Sequence, residues 1–139
     1  MSRLSSNEWK GHIALVKFDL RAAEKGVVVS VPQIPCRYDR VVETDGGFLR
    51  VQIKYAGGRA SKSSGSAIVR LKRPRDRQGA LRGYSAHEID ALVLYLPQVD
   101  KLCWLEPKHF VDKAELTIRY TESKNKQRTK CKYIEDHEW

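Results

Sequence analysis

Three polar residues in one short stretch, Asp39, Gln52 and Lys54, have the types and the spacing to act on a phosphodiester. The stretch runs from Arg37 to Tyr55, RYDRVVETDGGFLRVQIKY. Two runs rich in β-branched and aromatic residues flank the turn signal Asp45-Gly46-Gly47, which predicts a hairpin. Along the second run Leu49, Val51 and Ile53 alternate with Arg50, Gln52 and Lys54, and the apolar set should face the core. A loop of Thr44 to Gly47 places Asp39 opposite Gln52, and a loop of Gly46-Gly47 alone places it opposite Lys54. Either register keeps all three on one face, whereas a one-residue slip would send Asp39 to the other side. A carboxylate and an amide oxygen are hard ligands suited to Mg²⁺, which binds few protein groups and keeps several waters. A cation held there lowers the pKa of a bound water and stabilises charge on phosphate, while a nearby ammonium orients the nucleophile. The bland interpretation of the same residues is a half-exposed hairpin with ordinary surface polar groups.

The elements around the hairpin decide whether that patch can be held in place. Ser5 and Glu8 have the spacing of a capping box, and Trp9, Ile13, Val16 and Leu20 recur at helical spacing until Gly26. An amphipathic first helix follows from this pattern, with those four residues as its apolar face. The nearly all-apolar run Val27 to Val31 is expected to be a buried strand ending at Pro32. The opening is therefore α-β-β-β. Further on, Ala67 to Leu71 is a short strand candidate, and Ile89 to Leu96 is the most apolar run and a central strand. Leu102 to Leu105 is its hairpin partner and Glu115 to Tyr120 an edge strand. Short helical turns are expected at Ser85 to Glu88 and from Pro107.

Length and charge narrow the class. With 139 residues the chain suits one domain with one modest core. Against 26 Lys and Arg stand 17 Asp and Glu, a formal charge of +9 that favours a polyanionic partner, nucleic acid before an anionic membrane surface. No apolar run approaches the ~20 residues needed to span a bilayer. The first residues, MSRLSSNEWK, lack the apolar core of a signal peptide, so a cytoplasmic or nucleoid location is expected. Cys36, Cys103 and Cys131 are far apart and in no CxxC arrangement, which predicts reduced structural thiols. Two stretches concentrate the positive charge, a basic insertion at about 57–83 and a basic C-terminal tail at about 121–139. The candidate DNA contacts are Lys62, Arg70, Lys72, Arg73, Arg75, Arg77 and Arg82 in the first, and Lys124, Lys126 and Arg128 in the second.

Lys10-Gly11-His12-Ile13-Ala14, Gly26, Pro32, Tyr38-Asp39, Val51-Gln52-Ile53-Lys54 and Ile89-Asp90, in this order, cover most of the chain. In that ordered combination the chain resembles the PD-(D/E)XK nuclease superfamily and, within it, the small homing endonucleases associated with group I introns. The resemblance implies an α/β (α+β) fold with a mixed central β-sheet and a restriction-endonuclease-like core. It also implies a single nuclease domain over 1–139 and a Mg²⁺- or Mn²⁺-dependent endodeoxyribonuclease acting on double-stranded DNA. Gln52 stands where the superfamily usually has an acid, a variation known in the intron-associated group. By resemblance Asp39 is the principal metal ligand, Gln52 the second ligand or water positioner, and Lys54 the group that orients the nucleophile. Relatives often carry a Glu on the first helix where Ala14-Leu15 stand here. Glu8, seven residues before Leu15 and on nearly the same helix face, is a candidate replacement as catalytic residue and metal ligand; its other role is the capping box. Because one active site cuts one strand, a homodimer or homotetramer is implied. Bacterial, phage and organellar settings all fit.

Two alternatives stay open from sequence. A junction resolvase or repair nuclease would share the active site and differ in the shape of its substrate. A non-catalytic basic module binding DNA or RNA would use the hairpin only as scaffold.

Overall fold

Ser5 starts a long helix, accepting from the Glu8 backbone N–H through Oγ while Glu8 Oε2 accepts from the Ser5 N–H. The helix, α1, spans Ser6–Lys25 and ends at Gly26, whose φ of 70° lets its N–H reach the Ala22 and Ala23 carbonyls. The computed structural model describes residues 4–59, 65–71, 83–121 and 132–139. After α1 come β1 (Val29–Ser30), β2 (Arg40–Thr44), β3 (Gly47–Tyr55), β4 (Gly58–Arg59) and β5 (Ser66–Arg70). Then follow β6 (Ala91–Leu96), β7 (Lys101–Leu105), a 3-10 turn at Pro107–His109, β8 (Glu115–Arg119) and a second such turn at Ile134–Asp136.

The strands form two sheets. The larger has the order β1-β2-β3-β6-β7, antiparallel except for the parallel central pair β3 and β6; the smaller is β4-β5-β8. This is a mixed α+β fold of the expected kind, with the expected α-β-β-β opening. Alternation along β6 explains the layering. Ala91, Val93 and Tyr95 join Val51 and Ile53 of β3 in a core against Ala14 and Phe18 of α1. Leu92, Leu94 and Leu96 point the other way, into a core with Val69, Leu116 and Ile118 of the smaller sheet. The five-stranded sheet thus lies between helix and second sheet, and β6 is buried along its whole length. Among the described residues no helix is long and apolar enough to cross a membrane.

Two sequence expectations need correction. The buried face of α1 is Ala14, Phe18 and Ala22, whereas Trp9, Ile13, Val16 and Leu20 are between 41% and 55% exposed. The helix carries two apolar stripes about 200° apart, since each residue turns it by about 100°. The stripe with small residues docks because two alanines let the axis come close to a sheet that already supplies Val51, Ile53 and Tyr95. The second correction concerns Val27 to Val31. Only Val29–Ser30 is strand, it lies at the sheet edge, and Val28 and Val31 are exposed. Last, Trp139 stacks on Phe18 with ring centroids 4.8 Å apart. Its N–H donates to the Leu102 carbonyl at 3.1 Å, so residues 137–139 run beside β7.

Candidate active site

Strand lengths create the site. In the β2–β3 hairpin Thr44 pairs with Gly47 and Arg40 with Val51, and extending that register by one places Asp39 opposite Gln52. Of the two registers open from sequence, this is the one set by the Thr44 to Gly47 loop. Strand β2 stops there, but β3 continues to Tyr55, paired with β6. Asp39 closes the end of the shared ladder. Its N–H donates to the Val51 carbonyl at 2.8 Å, and its carboxylate Oδ2 accepts from the Ile53 N–H at 3.0 Å, where a strand carbonyl would otherwise sit.

Gln52 and Lys54 lie on the face of β3 opposite Val51 and Ile53, hence away from the core beneath α1. The Gln52 Nε2 donates to the Ile53 carbonyl at 3.5 Å, which turns Oε1 inward; that oxygen is buried and has no hydrogen-bond partner among the described residues. Lys54 reaches Tyr84, its Nζ 5.7 Å from the ring centroid. A carboxylate, a buried amide oxygen and an ammonium therefore occupy one face of the notch at the end of β2. An amide acceptor left unpaired indoors costs about 1–3 kcal/mol, and a hard cation beside Asp39 would satisfy it. The donor set fits a divalent ion of the Mg²⁺ type.

Arginines brace both sides of the notch. Arg50 and Asp90 form a two-pronged pair, Nε to Oδ2 at 3.0 Å and Nη2 to Oδ1 at 3.1 Å, while the Arg50 backbone N–H donates to Oδ2 at 2.7 Å. The guanidinium also donates to the His87 carbonyl at 2.6 Å. Its hydrogen bonds hold the Asp90 carboxyl below the usual carboxylate range, and those of Asp90 push the Arg50 pKa further up. On the other side Arg37 lies over the Tyr84 ring at 4.3 Å, meets Glu88 at 3.0 Å and donates to the Gly83 carbonyl at 3.2 Å. Segment 83–90 is thereby clamped beside the catalytic candidates. The Arg50 clamp gives Asp90, just before β6, a long-range partner. No local pattern announces the clamps, because they depend on how β3 and β6 are registered.

The remaining candidates fall elsewhere. Glu8 is exposed, with its carboxylate engaged by Ser5, and that backbone hydrogen bond lowers its pKa. Ala14 is fully buried in the core on the opposite face of β3 from Gln52. Arg70 is exposed at the end of β5. Lys62, Lys72, Arg73, Arg75, Arg77, Arg82, Lys124, Lys126 and Arg128 lie outside the described residues, as does Cys131. Cys36 is exposed and Cys103 buried, and burial pushes the Cys103 thiol up to about 12. That thiol is not a reactive group at neutral pH.

The family model described as PD-(D/E)XK endonuclease matches residues 5–139. The chain belongs to the PD-(D/E)XK endonuclease family. Among solved structures, the bacterial homing endonuclease I-Ssp6803I superposes with a TM-score of 0.75 at 23% identity, covering 96% of this chain and 89% of that one. At that identity the likeness shows a shared fold. Among curated proteins none matches.

Proposed function

We propose that the chain is a divalent-metal-dependent endonuclease cutting double-stranded DNA at defined sites, of the intron-encoded homing type, with Asp39, Gln52 and Lys54 as its catalytic residues. The observation that carries this is the buried, unpaired Oε1 of Gln52 on the same face as Asp39 and Lys54. Asp39 and Gln52 would hold Mg²⁺ or Mn²⁺. When bound, such a cation supplies charge stabilisation at the phosphate and a more acidic water. Lys54, steadied over Tyr84, hydrogen-bonds the attacking water or a phosphate oxygen and balances charge that develops in hydrolysis. Glu8 could join the metal only by releasing the Ser5 cap. The segment clamped at Gly83 and Glu88 comes a few residues after Arg73, Arg75 and Arg77 in sequence, and these arginines would reach phosphates and base edges beside the scissile bond. Double-strand cleavage by one-site chains takes at least two copies, so a homodimer or homotetramer working on the DNA of the cytoplasm or nucleoid belongs to this proposal.

A second reading, a basic DNA- or RNA-binding module whose metal site is disabled, is favoured by the apolar, buried Ala14. Cleavage of plasmid DNA in Mg²⁺, run beside DNA binding in EDTA, separates the two. Asp39→Asn, which keeps an acceptor for the Ile53 N–H, and Lys54→Ala should each lose at least about 10²-fold in cleavage with affinity nearly unchanged. Parallel loss of binding, or cleavage that survives both substitutions, would exclude these roles.

A further inference from the structure

Lys54 also lines a cleft of about 500 Å³ between the first turns of α1, the end of β3 and β5. Asn7, Lys10 and Gly11 form its helical wall, Lys54 sits in the strand wall, and Arg70 stands at the β5 end. Its lining thus carries three cations and an amide, and no carboxylate. Gly11 keeps the helical wall low: nothing lies within 4 Å of where its Cβ would stand. Three like charges around one cavity repel each other unless an anion lies between them, and the cleft is too polar and open to be a packing defect.

We propose that this cleft is a backbone-phosphate subsite in which Lys10 and Arg70, helped by Asn7, hold a phosphate of the DNA strand adjacent to the one that Lys54 engages. The inference deepens the nuclease proposal and rests on it for the identity of the strand. It gives Lys10, on α1 and far in sequence from the basic insertion, a direct part in binding. A lone carboxylate brings one charge to one point, whereas successive phosphates along a strand present one charge each to such a track of cations.

The test is the salt dependence of DNA binding, measured on a duplex in EDTA so that no cleavage occurs. Lys10→Ala and Arg70→Ala should each flatten the slope of log K against log salt by about 0.9 and weaken binding about fivefold at 0.15 M salt. Lys10→Arg should restore both. Lys108→Ala, which removes the same charge outside the cleft, should change neither. Both residues are exposed, so their replacement leaves the core intact, and a thermal melt on each variant checks this. An unchanged slope in Lys10→Ala and Arg70→Ala, with wild type binding and cutting DNA, overturns the subsite and leaves the nuclease proposal standing. A flattened slope in a protein that binds but never cuts supports the subsite and removes the nuclease. Wild type that binds no DNA overturns both.

Discussion

Replacing Gln52 by Met keeps the length of the side chain and removes the amide. In the metal-free protein the wild-type Oε1 is buried and unpaired, and such an acceptor costs about 1–3 kcal/mol. What the amide gains is one long hydrogen bond, 3.5 Å from Nε2 to the Ile53 carbonyl, worth at most a few tenths of a kcal/mol. Gln52→Met should therefore stabilise the metal-free protein by about 1 kcal/mol, a rise of about 3 °C in Tm for a chain of this length. Mg²⁺ should reverse the order. At ten times its dissociation constant, a cation bound only to the folded state adds about 1.4 kcal/mol to wild type, and Met cannot supply the ligand that Oε1 supplies. Thermal unfolding of both proteins in EDTA and in MgCl₂ reads all four values. A variant that is less stable than wild type in EDTA and equally stabilised by Mg²⁺ would show that the amide is structural and that the cation, if it binds, binds elsewhere.

The Asp90–Arg50 clasp has a pH signature. The folded pKa of Asp90 is depressed, so its contribution is complete above the unfolded value of about 3.9 and is lost as pH falls through the folded value. Wild type should exceed Asp90→Asn in stability at pH 6, and the gap should narrow as pH falls below about 4; a gap that instead widens with acid would show that the pair does not titrate as described. For α1, Phe18→Ala should cost about 3–5 kcal/mol and Val16→Ala less than about 1 kcal/mol, measured by urea unfolding. Equal costs would mean that the exposed stripe is part of the folded core after all.

Some of this was legible in the sequence because it is local. The caps of α1 are backbone chemistry within four residues, and Ser5, Glu8 and Gly26 do what their types dictate. The Asp45-Gly46-Gly47 turn restricted the hairpin to registers that share one face for Asp39, Gln52 and Lys54. Long-range partners were not legible. Pairing of Ser66 with Arg119 builds the second sheet from strands far apart in the chain, and neither strand names the other. The choice between the two stripes of α1 depends on the sheet beneath, where small Ala14 and Ala22 outrank larger apolar residues by allowing close approach. The Arg37 and Arg50 clamps need the parallel register of β3 with β6, in which Val51 pairs with Ala91. The buried Oε1 of Gln52 depends on how the side chain packs, which no local pattern announces.

The most direct measurement is cleavage of genomic DNA from the source organism in Mg²⁺, with new ends mapped by sequencing and Lys54→Ala run beside wild type. Discrete cuts in the wild-type sample, absent from Lys54→Ala and from EDTA controls, are the predicted result. DNA that stays intact under conditions where the protein binds it, or cuts that Lys54→Ala reproduces, would contradict a metal-dependent nuclease built on Asp39, Gln52 and Lys54.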